Sequence, residues 1–221
     1  MIQSQEPTAL AGKEAANWKI GTSPSILKHI HDKDVNIAIY DRDIGALTSE
    51  VNDLLAQNAE FKSNGDVDAI IDDISKAMNP KKYSHIIQDI KELLLHFEEV
   101  VHSKSFRLLL ATINTNMCRK FHTDINDVRL LCTYSGPGTM WLTDDNINRK
   151  ALSSRNDDEC IAIDESRIQQ ANTGSVVLLK GAIYPQEETK AIVHRSPTIE
   201  ESGEKRLLLR IDTNETSRFW S

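Results

Sequence analysis

The sequence is short of cysteine, of excess basic charge and of long apolar runs, and each shortage removes a class of protein. Three cysteines occur, Cys118, Cys132 and Cys160, an odd number at wide spacing. They form no disulfide framework and no close pair of the kind that holds structural zinc, and they point to a reducing compartment. Lysine and arginine total 26 against 33 acidic residues, a net charge of −7, which argues against the basic stripe of a nucleic-acid surface. No run approaches the roughly 18 apolar residues that cross a bilayer. The start, Met1 to Asn17, is polar and lacks the apolar segment of a secretory leader, and no internal repeat is visible. A cytoplasmic protein with no membrane partner is the expectation.

What is present suffices for a core: 221 residues, 39% hydrophobic and 27% charged. Residues 1–17 are expected as a poorly ordered N-terminus and 214–221 as a tail. From 18 to 104 the periodicity is mainly helical, after a strand at Asn36–Tyr40. Leu47, Val51, Leu54, Leu55 and Phe61 keep to one helix face. Asp66 can cap a helix striped by Val67, Ile70, Ile71, Ile74 and Met78. Asn79-Pro80 offers a cap and a first-turn proline for the longest helix, striped from Ile86 to Val101. From 105 to 213 short strands take over: Phe106–Met117, 128–134, Thr139–Leu142, Cys160–Ile163, Ser175–Lys180, Lys190–His194 and Arg206–Asp212. A polar loop at Asp144–Glu159 and a short helix at Glu165–Ala171 lie between them. The order is α+β, a β-sandwich or jelly roll carrying helices on one face, within one compact domain.

The chemistry concentrates at Cys118-Arg119-Lys120-Phe121-His122-Thr123-Asp124. A histidine and an aspartate two apart, on a connection between strands, can aim an imidazole nitrogen and a carboxylate oxygen at one point. Two histidines and one carboxylate on one face hold non-haem Fe(II), and His194, closing a later strand, is the third candidate. With seven histidines in the chain, about one His-x-acid match arises by chance. A second match, His96-Phe97-Glu98, sits inside the long helix, where side chains two apart diverge. His85 and His102 lie on the same helix off its apolar stripe, and His29-Ile30-His31 reads as a solvated pair near a turn. By period two, Arg206, Leu208 and Arg210 share one strand face. Arginine holds a carboxylate by a two-pronged hydrogen bond, so two arginines here suggest an anionic partner; the plainer reading is a charged face in water. Trp141 reads as core.

This order of residues, His-x-Asp, a strand, Gly174 before Val176-Val177-Leu178-Leu179, a distal histidine and then an arginine, resembles the Fe(II)/2-oxoglutarate-dependent dioxygenases over residues 105–213. The resemblance implies a double-stranded β-helix, with Fe(II) on His122, Asp124 and His194 and 2-oxoglutarate as co-substrate. It implies Arg206 on the co-substrate's distal carboxylate, with Arg210 as a substitute or second anion contact and Tyr134 and Arg129 as pocket candidates. The substrate would be a small molecule or peptide. The wording C-R-K-F-H-T-D, R-L-L-C-T-Y-S-G-P-G-T and H-R-S-P is also similar to a bacterial family of unknown function, which implies a link to zinc limitation. Zn(II) accepts the same donors. The alternative is therefore a non-catalytic, cupin-like protein that binds a metal or small anion, tied to zinc homeostasis.

Overall fold

The structure is a computed structural model that describes residues 16–154, 160–186 and 188–214. Most of the expected N-terminal segment (1–15), 155–159 of the polar loop and all but Asn214 of the tail lie outside the described residues. Asn17 is buried, and its carbonyl accepts the Asn36 N–H at 2.8 Å.

In chain order, β1 (Trp18–Gly21) leads into a 3-10 helix (Pro24–His31) and β2 (Ile37–Tyr40). α1 (Thr48–Ala56), β3 (Glu60–Gly65), α2 (Val67–Ala77) and α3 (Ser84–Val101) follow. The Asp66 carboxylate accepts the Ala69 N–H and caps α2, as its position implies. On α3 the side chains of Ile86, Ile87, Ile90, Leu93, Leu94, Phe97 and Val100 are buried. Full burial of each large one is worth about 1.5–3 kcal/mol, so tertiary packing rather than propensity holds this helix. Asn79 makes a turn, its Oδ1 accepting from Lys81 N, and α3 starts at Ser84 instead. Phe61 belongs to β3 and not to a helix. The strand alternates exposed and half-buried residues, an edge-strand pattern with too few apolar positions to announce itself. His29 and His31 sit on the 3-10 helix, where His29 pairs with Asp32 and His31 meets Tyr184 Oη at 2.6 Å.

The second half gives β4 (Phe106–Ile113), β5 (Val128–Ser135), β6 (Met140–Trp141), α4 (Arg149–Ser153), β7 (Gln169–Gln170), β8 (Val176–Lys180), β9 (His194–Arg195) and β10 (Arg206–Thr213). Several expected strands shrink: Cys160–Ile163 contributes a single bridge, Ile147 to Ala162, and Lys190–His194 pairs only at its end. The expected helix at Glu165–Ala171 is a 3-10 turn, Glu165–Arg167, followed by β7.

Among the described residues ten strands make two sheets. The large one runs β1-β2-β8-β5-β10-β4-β3, antiparallel except for β1 with β2; the small one is β7-β6-β9. The region 18–104 therefore does more than support, since it supplies both edges of the large sheet. One face of that sheet packs Val128, Leu130, Cys132, Tyr134, Leu207, Leu209 and Ile211 against the helices. The other face packs Leu131, Val177 and Leu179 against Trp141 and Ile192, on the side of the small sheet. The molecule is a mixed α/β protein with a large, mostly antiparallel sheet, and the candidate site lies on the face opposite the helices.

Candidate metal centre

Backbone pairing brings the two histidines together. His122 N–H donates to the His194 carbonyl and His194 N–H to the His122 carbonyl, both at 3.0 Å. This doubly bonded bridge fixes the register, while β9 is held on its other side by β6 through Trp141 and His194. The Asp124–Asp127 loop is clamped against the chain after β8: Asp124 O accepts from Ala182 N at 2.8 Å and Asp127 O from Gly181 N at 2.7 Å. A Cβ on Gly181 would lie 1.9 Å from Asn126 Oδ1 and 2.1 Å from Asn126 O, so only glycine allows this approach.

The result is a cluster of three donors. One ligand atom each from His122, Asp124 and His194 falls within 4.8 Å of the others, the one such group of three found among the described residues. His122 Nε2 is 3.5 Å from Asp124 Oδ1, and His194 Nε2 is 3.4 Å from Asp124 Oδ2. The rings lie 4.6 Å apart, centroid to centroid. His122 Nδ1 is 2.9 Å from the Lys120 carbonyl and His194 Nδ1 is 3.3 Å from that of Ile192. A carbonyl only accepts, so each Nδ1 is a donor and, in the neutral imidazole that binds a metal, each Nε2 turns a lone pair to the centre, the arrangement metal-binding histidines use.

The charges fit a cation as well. Burial works against the Asp124 carboxylate, but in the metal-free protein hydrogen bonds from the protonated forms of His122 and His194, and the charges of His194 and Arg129, hold its pKa well below the ordinary range. Asp124 in turn raises the pKa of His122 against the effect of burial. Arg129 donates from Nη1 to Asp124 Oδ2 at 2.5 Å and from Nε to Asp212 Oδ1 at 2.6 Å. Its position on β5 thus ties the loop carboxylate to the buried carboxylate of β10.

Beside the donors is a narrow cavity of about 70 Å³, lined among others by Ile113, Leu131, Thr139, Arg195, Arg206 and Leu208. Arg206 is 2% exposed; its Nη2 donates to Thr133 Oγ1 at 3.1 Å and its Nε has no partner among the described residues. Burial alone pushes this guanidinium down to about 10. Gly136 makes room for it: φ is +78°, and a Cβ there would stand 2.8 Å from Arg206 Cγ. Arg210 also lines the cavity but is more exposed, with its Nε 3.3 Å from Asp212 Oδ2. Of the two, Arg206 is the buried and underused one.

Tyr134 does not join this group. It alternates with Thr133 along β5, faces the helices, and its hydroxyl donates to Asp89 Oδ2 at 2.6 Å within a buried pair of Arg42 and Asp89. His96 stays on α3 outside the cluster, and His85 pairs with Glu50 at 2.7 Å. Asp212, Asn126, Gly181 and Arg195 were not anticipated. Asp212 had a readable signal, since it continues the Arg206–Leu208–Arg210 alternation by one step.

Several solved structures are similar in outline. The dioxygenase for auxin oxidation in rice matches with a TM-score of 0.49 and 11% identity, over 87% of this chain and 78% of that one. A Pseudomonas putida prolyl-4-hydroxylase gives 0.45 and 9%, over 86% and 96%. A Caulobacter crescentus protein assigned to the 2OG-Fe(II) oxygenase family gives 0.37 and 16%, over 80% and 77%. At these scores nothing about chemistry follows from the likeness. No curated protein matches significantly. Residues 21–212, nearly all of the described chain, match the family DUF1826, and the protein belongs to that family of proteins of unknown function.

Proposed function

We propose that this protein is a non-haem Fe(II)/2-oxoglutarate-dependent oxygenase of the hydroxylase type, with its two facing sheets forming a double-stranded β-helix. One observation carries the reading: a His-Asp-His donor set shares a cavity with a buried arginine that has no carboxylate partner among the described residues. The donors fit iron, since two imidazoles and one carboxylate on one face leave further positions open to exchangeable ligands. The arginine fits a dicarboxylate, because a buried guanidinium with a free donor is stabilised by an anion that hydrogen-bonds to it.

When bound, iron and 2-oxoglutarate would supply an oxygen-activating centre able to oxidise a substrate C–H bond. The protein's own work is placement. His122 and His194 offer Nε2, their tautomers set by the backbone carbonyls of Lys120 and Ile192. Asp124 offers a carboxylate oxygen, its orientation fixed by Arg129. Arg206 would hold the far carboxylate of the co-substrate through its free buried donor. Ile113, Leu131 and Leu208 line the cavity with hydrocarbon and limit the entry of water.

The test is spectroscopic. Protein purified anaerobically and loaded with Fe(II) should develop a weak visible band on addition of 2-oxoglutarate. His122→Ala should lose both the band and the iron. Absence of the band in the wild-type chain, with metal content unchanged in His122→Ala, would sink the proposal.

A further inference from the structure

The cavity holds more cationic charge than one co-substrate uses. Arg129 is neutralised by Asp124 and Asp212, and Arg210 lies beside Asp212. Arg206 is the partner of 2-oxoglutarate in the reading above. Arg195 is left over. It follows His194 directly in β9, lines the same cavity, and has a buried Nε with no hydrogen-bond partner among the described residues. Its guanidinium carbon stands 4.7 Å from the centre of the Phe121 ring. Stacking on an aromatic face holds the planar group in place yet satisfies none of its N–H donors in the way an anion would. Phe121 itself precedes His122, so the arginine is mounted on the same two segments that carry the metal donors.

We infer that Arg195 recognises an anionic group on the substrate, so that the molecule acted on carries a carboxylate or a phosphate and binds by that group next to the metal centre. This rests on the oxygenase reading for its chemistry but not for its binding site. The pocket would then accept two anions at once, the co-substrate at Arg206 and the substrate at Arg195. A neutral substrate would leave a partly buried cation unpaired, which selects against it.

Titration calorimetry on the full chain loaded with Mn(II) separates the two anions. The protein is first saturated with 2-oxoglutarate and then titrated with inorganic phosphate or with acetate. A second anion should bind, and Arg195→Gln should weaken it by about tenfold or more, the usual worth of a charge-assisted hydrogen bond. In that variant the affinity for 2-oxoglutarate should stay within about twofold, which also shows that it is folded, and Arg195→Lys should recover part of the second site. Preference for phosphate assigns a phosphorylated substrate, and preference for acetate a carboxylate. If the saturated wild-type protein binds neither anion, or if Arg195→Gln binds them unchanged, the inference is overturned. If 2-oxoglutarate fails to bind while phosphate or acetate binds through Arg195, the anion site stands and the oxygenase reading falls.

Discussion

Replacing Arg206 by methionine should make the metal-free protein more stable while removing its co-substrate. Arg206 is 2% exposed and lacks a carboxylate among the described residues, and burial pushes it from the ordinary guanidinium value down to about 10. That shift corresponds to roughly 3 kcal/mol by which burial disfavours the charged form. The sign is that of a cation with a lowered folded pKa. The unfolded chain binds the proton more tightly, so the penalty is fully present below pH 10 and fades only as pH rises through that value. An assay at neutral pH therefore sees all of it. The hydrogen bond to Thr133 returns about 0.5–1.5 kcal/mol. Methionine keeps most of the stem that packs beside Gly136, leaving a net gain of roughly 1–3 kcal/mol for Arg206→Met. For a chain of this size each kcal/mol moves the melting temperature by about 2–4 °C. The second half of the prediction uses the ligand. With Mn(II) present and 2-oxoglutarate at a hundred times its dissociation constant, the wild-type protein should gain about 2.7 kcal/mol, and Arg206→Met almost nothing. Differential scanning fluorimetry reads both. A lower melting temperature for metal-free Arg206→Met, or a ligand shift equal to that of wild type, refutes the reasoning.

Three further outcomes follow from the same geometry. Arg129→Met strips Asp124 and Asp212 of their shared cation, so the metal-free protein should lose about 3–5 kcal/mol in chemical denaturation; Mn(II) should restore part of it by neutralising Asp124, and an unchanged midpoint would show the bridge to be energetically idle. Metal affinity should fall on acidification beginning above pH 6.5, because protons compete at His122 and its pKa is raised by Asp124. Fluorescence-monitored Mn(II) binding from pH 8 to pH 5 checks this, and a midpoint clearly below the ordinary histidine value contradicts it. Gly181→Ala inserts a methyl group 1.9 Å from Asn126 Oδ1. It should shift the Asp124–Asp127 loop and weaken metal binding by about tenfold or more, the effect expected for losing a supporting contact; calorimetry showing wild-type affinity would mean that the loop adapts.

The amino-acid pattern alone marks much of this molecule. The Asp66 cap, the apolar stripes of α2 and α3, and strands β4, β5, β8 and β10 follow from local periodicity and from residues that satisfy or refuse backbone hydrogen bonds. The resemblance carried by the same linear order is what implies that His122, Asp124, His194 and Arg206 belong together. β3 was not legible, because an edge strand reading Glu-Phe-Lys-Ser-Asn-Gly shows only half an apolar face. β6 falls inside the expected Thr139–Leu142 and β9 begins at the end of the expected Lys190–His194, but at two residues each they are too short for a period to set their bounds.

Tertiary structure decided which side chains meet. Side chains alternate across a strand, so β5 sends Arg129 and Leu131 to the cavity, Thr133 on the same face to Arg206, and Tyr134 to the helices, and that choice depends on which face the helices cover. Arg129 joins Asp124, five residues away, to Asp212, 83 residues away, a pairing that no local spacing encodes. Above all, the His122–His194 bridge is a hydrogen-bond register between distant segments. The sequence supplies the three donors, and only strand pairing aims them at one point.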